Sequence, residues 1–249
     1  MINEIVLLGS LASLAAGLST GIGALPILFT KKVSDRLMDA MLGFSAGVML
    51  AATSFSLLVP AIELSGPWIV IFGIILGTIV LHLFDRFIPH IHPTLGKEGP
   101  SSRLSKIWLF VLAITLHNFP EGLAVGVSFG SGDVSVGLVI ALAIGLQNMP
   151  EGLAVALPLL REGYSKRKCI GYSTLTGLVE PVGGLLGVAL VSVFHPLLPW
   201  GLAFAAGAML YVVSDEMIPE SHRKGFEMEA TFGLIIGFVI MMLLDSLLV

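Results

Sequence analysis

Basic residues are scarce in this chain, and none lies inside a long apolar run. Lysine and arginine together number thirteen among 249 residues, and charged residues make up 12%. A soluble domain has about 25%, so an ordinary soluble globular protein is excluded. Nucleic acid is not an expected partner. Cysteine occurs once, at Cys169, which excludes an internal disulfide and any cysteine-cluster metal site. The N-terminal run is not expected to be a secretory signal peptide. The first apolar run has no basic leader, is too long, and is followed rather than preceded by its positive charges, Lys31 and Lys32. No HExxH and no evident nucleophile–base pair is present, so an enzyme is not expected.

What is present is apolar sequence and glycine. Hydrophobic residues make up 55%, the mean hydropathy is +0.97 and there are 29 glycines. Close helix packing in lipid favours small residues. A membrane-crossing helix needs about 20 apolar residues, and eight such spans are readable: roughly 4–29, 37–61, 67–88, 106–130, 136–160, 169–194, 199–219 and 230–249. The loops support this division. Lys31, Lys32 and Arg36 fall between spans one and two, and Arg86, Lys97, Arg103 and Lys106 between three and four. Arg161, Lys166, Arg167 and Lys168 fall between five and six, and Arg223 and Lys224 between seven and eight. All thirteen basic residues therefore share one side, which the positive-inside rule makes cytoplasmic. Both termini are expected outside. The expected location is a bacterial-type cytoplasmic (inner) membrane, with membrane lipid as a constant partner. The fold class is an all-α polytopic membrane protein built as one domain.

The connection "RFIPHIHPTLGKEGPSSRLSK" (86–106) reads as a cytoplasmic loop, about 89–105, from its Pro, Gly and Ser content. Its His90 and His92 read as solvated loop residues or as a weak metal-collecting pair. His82, in span three, reads as a packing or polar-network residue.

A repeat lies beneath the spans. At an offset of 160, "FGIILGTIVLHLFD" (72–85) lies over "FGLIIGFVIMMLLD" (232–245) and "FSAGVML" (44–50) over "FAAGAML" (204–210). Spans 1–3 thus correspond to spans 6–8. The displacement of five spans is odd, so the copies run in opposite directions, as in the inverted repeats of secondary transporters. The architecture is 3+2+3, with spans four and five outside the pairing. Those two spans resemble each other at an offset of thirty: "HNFPEGLAV" (117–125) and "QNMPEGLAV" (147–155).

Each of these motifs places a glutamate near mid-membrane, where a charged carboxylate costs about 3 kcal/mol or more and is a functional candidate by default. Glu180, in "LVEPVGG", stands at the same depth. Glu121, Glu151 and Glu180 would repel one another, and no Lys or Arg lies in any span interior to neutralise them, whereas a bound cation would. His117 and Glu121 are i, i+4 on one helix face, and Gln147 and Glu151 repeat the spacing. Asn118 and Asn148 point about 100° away from the first residue of each motif, towards a second position. Pro120, Pro150 and Pro181 each follow or precede a glutamate and free the carbonyls of Leu116, Leu146 and Gly177 from their helical partner. One imidazole with carboxylates and amides suits Zn²⁺, Fe²⁺, Mn²⁺ or Cd²⁺ better than alkali ions. Met49, at mid-depth in span two, reads either as a soft contact or as core packing. The alternative for the whole set is a hydrogen-bond network or a proton relay, as in a proton- or cation-coupled carrier of another substrate.

At these residues the sequence resembles the Zrt/Irt-like protein (ZIP) family of divalent metal transporters, on its prokaryotic side. "HNFPEG", "QNMPEG" and the Glu180–Pro181 pair resemble that family's metal-binding signature, and the eight-span topology extends the resemblance over the whole chain. The resemblance implies uptake of metal into the cytoplasm by alternating access, with spans 1, 4, 5 and 6 shifting against spans 2, 3, 7 and 8. It implies a two-metal centre, His117, Glu121, Gln147 and Glu151 with Met49 nearby as the first site, and Asn118, Asn148, Glu151 and Glu180 as the second. Some relatives carry Asp where this chain has Asn148. No prosthetic group is implied, the metal being substrate, and a homodimer is common in the family. Further acids fit a path or, alternatively, face solvent at the membrane interface: Glu63 and Asp245 towards the outside, and Asp85, Asp215, Glu216 and Glu220 towards the cytoplasm.

Overall fold

The structure, a computed structural model, describes residues 2–30, 33–92, 96–102 and 104–248. Lys31, Lys32 and Arg103 lie outside the described residues, and the side chains of Asp85 and His92 are likewise not described. Eight helical stretches among the described residues are long and apolar enough to cross a membrane. They are span one, Asn3–Leu28; two, Asp35–Ser65; three, Pro67–Phe84; four, Lys106–Gly130; five, Val134–Arg161; six, Lys166–Val193; seven, His195–Ser221; and eight, Glu227–Leu248.

Local chemistry sets where they begin. Ser34 accepts a hydrogen bond from the Leu37 amide at 3.2 Å, and Asp133 from the Ser135 amide at 2.9 Å, so each caps a helix start. Spans two and three are joined by Gly66 alone, at φ 75°, a left-handed conformation that favours glycine, with Pro67 opening the next helix. Two of the spans contain a π-helical stretch, span two at Ala52–Leu58 and span seven at Val213–Met217.

Helix packing separates two groups. Spans one, four, five and six pack on one another, span one about equally on five and six and span four chiefly on six. Span two packs on eight, and three on seven. Burial follows this arrangement: 72% of span five's most apolar window is covered by the rest of the protein, against 17% for span eight, so span five is central and span eight faces the surroundings. Close approaches repeat at the sequence offset of 160. A Cβ on Gly77 would stand 2.1 Å from the Phe204 carbonyl, and one on Gly237 would stand 2.2 Å from the Phe44 carbonyl.

The connection after span three departs from a plain loop. His90–His92 and Gly96–Glu98 pair as two short antiparallel strands, with His90 opposite Glu98. The reading of 89–105 as loop is corrected here: Gly96, at φ 87°, helps to turn the chain back on itself. His90 is buried, not solvated, and its Nδ1 lies 2.9 Å from the Ile88 carbonyl.

Candidate metal centre

The two motifs meet because spans four and five lie side by side and turn these faces inward. His117, Asn118 and Glu121 are buried on span four, Gln147, Asn148 and Glu151 on span five, and Glu180 on span six. Met49 is buried on span two. The helices run unbroken through Pro120 and Pro150. The break falls in span six, where one helix ends at Gly177 and the next starts at Glu180 with Pro181 in its first turn. Proline is tolerated there because the first amides of a helix have no internal acceptor. Glu180 thereby stands at a helix start, the end that favours negative charge.

The glycine that closes each motif has a steric reason. A Cβ on Gly122 would lie 2.0 Å from the Glu180 carbonyl oxygen, and one on Gly152 would lie 1.8 Å from that of Thr20. The "PEG" triplets thus let span four press against span six, and span five against span one, immediately beside their glutamates.

Hydrogen bonds tie part of the cluster together. Asn148 donates through Nδ2 to Glu180 at 2.6 Å and to the Ala16 carbonyl at 2.9 Å, and accepts from Gln147 Nε2 at 3.0 Å. Ser45 of span two donates to the Gln147 carbonyl at 2.6 Å, one residue on from Leu146. Other acceptors are left over. Both carboxylate oxygens of Glu121, one each of Glu151 and Glu180, Gln147 Oε1 and Asn118 Oδ1 are buried without a hydrogen bond of ordinary geometry. Gln147 and His117 lie close enough to Glu121 to act on its charge, and the three glutamates act on one another. Leaving a buried polar group unmatched costs about 1–3 kcal/mol, more for a charge. Six orphan acceptors on three helices therefore favour a cation. Among the described residues, no three His, Cys, Asp or Glu side chains already converge at metal-binding distance, so the carboxylates must draw together around whatever they bind.

His117 has a partner that the sequence reading placed elsewhere. Its Nε2 meets Glu216 Oε1 of span seven, in the π-helical stretch that shifts the register of that helix. Glu216, expected as a release-path acid, thus touches the candidate centre. Of the remaining path candidates, Glu63 is exposed, Asp215 is half-buried, Asp245 accepts the Ser56 hydroxyl, and Glu220 is bound by Arg223 at 2.8 Å. His82 is exposed and lies 3.4 Å from the Tyr211 hydroxyl. The sequence reading also missed Ser45 and the fully buried Asp39, which lies near the backbone of Lys224 and Phe226. An acid in the second turn of a helix reads as ordinary N-terminal charge, so Asp39 gave no signal.

Comparison with known proteins bears on this arrangement. A family described as ZIP Zinc transporter matches residues 96–245. The "Zinc transporter GufA" of Myxococcus xanthus is 50% identical, covering 95% of this chain and 97% of its own length. The "Zinc transporter ZIPB" of Bordetella bronchiseptica is 45% identical over 97% of this chain and 80% of its own. A human protein, "Zinc transporter ZIP11", is 35% identical over 91% and 93%.

Proposed function

Since the chain belongs to the ZIP zinc transporter family, we propose that it carries zinc and related divalent cations into the cytoplasm through a mid-membrane site on spans four, five and six. It is an integral membrane transporter and not an enzyme, and the metal is its substrate. The observation that carries the site assignment is the set of orphan acceptors on Glu121, Glu151, Glu180, Gln147 and Asn118 in a region without a single Lys or Arg. One dication satisfies several of them at once.

Two positions are proposed. The first takes His117, Glu121, Gln147 and Glu151, with Met49 at its edge. The second takes Asn118, Asn148, Glu151 and Glu180, Glu151 bridging. The second is the weaker. Asn148 has already committed its amide nitrogen to Glu180 and Ala16 and one lone pair of its oxygen to Gln147, so only the second lone pair is left for a metal, and it brings no charge. Metal binding requires unprotonated ligands, so affinity falls as the pH is lowered.

Alternating access is supported by the division into two packed groups and by the close approaches repeated at an offset of 160. We read these as an inverted repeat, with spans one, four, five and six moving against the others and both termini outside. Glu63 and Asp245 would gather cations, and Glu216 would receive the ion as His117 lets go.

The test is flux into proteoliposomes with an ion panel, paired with equilibrium Zn²⁺ binding. Zn²⁺ or Cd²⁺ should enter, and Glu151→Ala should remove binding at both positions. Wild-type uptake no faster than that of empty liposomes across the panel would sink the proposal. Binding unchanged in Glu151→Ala would dispose of the bridging role.

A further inference from the structure

Many hydroxyls in these helices bond within their own helix. Ser10 donates to the Val6 carbonyl at 2.7 Å, Thr53 to Met49 at 2.7 Å, Ser54 to Leu50 at 2.8 Å and Ser65 to Ala61 at 2.8 Å, each four residues back. Helical serine and threonine commonly bond in this way. Ser45 of span two departs from the pattern. It is fully buried, and its hydroxyl donates to the Gln147 carbonyl of span five at 2.6 Å. Span two belongs to one group of helices and span five to the other, so this bond crosses the boundary between them. A carbonyl oxygen has two lone pairs, and Gln147 accepts Ser45 while the span-five helix runs on unbroken.

The matching position elsewhere has no such bond to give. At the offset of 160, "FSAGVML" (44–50) lies over "FAAGAML" (204–210), so Ser45 corresponds to Ala205 of span seven. Ala205 is buried and carries no hydroxyl. At the offset of thirty, Gln147 corresponds to His117 of span four, and span four packs on span seven as span five packs on span two. Rocking of one inverted repeat against the other exchanges their contacts between two end states. The contact of Ser45 with Gln147 would then pass to Ala205 and His117, where no hydroxyl donates. We propose that Ser45 is a positioning residue for transport: its hydrogen bond latches spans two and five in the register seen here, and no equivalent latch holds the opposite end state. The inference rests on the alternating access proposed above. When the central group slides, the Gln147 carbonyl leaves and Ser45 turns back to the Met41 carbonyl, four residues before it, as Ser54 does to Leu50. The hydroxyl is never stranded, so the latch biases the equilibrium without locking it. The bias belongs at the lower end of a hydrogen bond's net worth, about threefold in population.

Double electron–electron resonance on the full chain in nanodiscs reads the two populations. Spin labels at Leu7→Cys, near the start of span one, and Met228→Cys, at the start of span eight, occupy exposed positions at opposite ends of the bundle, one on each group, in a Cys169→Ala background. Sliding changes their separation, and two separations are expected. Ser45→Ala should shift the ratio about threefold away from the separation that matches this structure. Ala205→Ser, which supplies the missing donor, should shift it the same way. Ser10→Ala, which removes a bond made within span one, should leave the ratio alone. An equal shift in Ser10→Ala, or an opposite shift in Ala205→Ser, would overturn the latch. So would an unmoved ratio in Ser45→Ala, and a lowered melting temperature beside it would mark the bond as structural only. Two separations with that unmoved ratio, alongside Zn²⁺ uptake, would end the latch and leave the transport reading standing. A single separation in every variant would remove both the latch and alternating access.

Discussion

The motifs of spans four and five share most of their letters and meet different neighbours. On span five, Asn148 is fully engaged, donating to spans one and six and accepting from Gln147. On span four, neither atom of the Asn118 amide finds a hydrogen-bond partner. The first residues differ likewise. The side chain of Gln147 is held within its own group of helices, whereas that of His117 reaches across to Glu216 on span seven, in the other group. Similar sequence therefore does two jobs. The span-five copy fastens the central helices together, and the span-four copy stays available and faces the neighbouring group. A cation bound as proposed would meet one preset wall and one adaptable wall.

Substitutions can break this contrast in order of size. The largest effect is expected where the copies are alike, at the closing glycines. Gly122→Ala and Gly152→Ala would each drive a Cβ into a backbone carbonyl within the contact on which the site stands. Each should cost several kcal/mol and leave little monodisperse protein on size exclusion. Normal yield of either variant would contradict the packing described. Next come the ligands. His117→Ala and Glu121→Ala should each lower Zn²⁺ uptake by roughly 100-fold, the upper range for disturbing metal-site residues, with folding retained in thermal melts. Near-normal flux would remove that residue from the first position.

The asymmetry itself is tested by the asparagines. Asn148→Ala leaves Glu180 and the Ala16 carbonyl without their donor, and should lower stability by about 1–3 kcal/mol, seen as a reduced melting temperature without metal. Asn118→Ala removes no hydrogen bond and takes away two unmatched buried polar atoms, so metal-free stability should hold or rise. Equal destabilisation by the two would erase the distinction between a fastened and an available copy. Asn148→Asp sharpens it in the other direction. It adds a charge at the second position and should raise Zn²⁺ stoichiometry or affinity there, as read by calorimetry.

Much of this architecture is legible in sequence because a bilayer imposes long apolar runs and sorts basic residues to one side. The eight spans and the inward face of each motif follow from length and helical period alone. What was not legible depends on which helices touch. The partnership of His117 with Glu216 joins residues 99 positions apart and relies on a π-helical stretch that no composition signals. The donation from Ser45 to the Gln147 carbonyl depends on span two crossing span five at that height. The hairpin at 90–98 was hidden because Pro, Gly and Ser mark a change of direction and not the pairing of what flanks it.

Chain slack is distributed unevenly between the two groups of helices. Spans six and seven are separated by Phe194 alone, while the helix of span three, which continues to Phe87, is joined to span four by residues 88–105. One residue reaches at most ~3.6 Å. If the central group slides, the connection to span four is the longer one, and the connection to span seven has almost no length to give. Travel beyond a few ångströms must unwind a helix end near Phe194 or carry the head of span seven along with it. Under the alternating access proposed above, the tether at Phe194 would limit the length of the stroke.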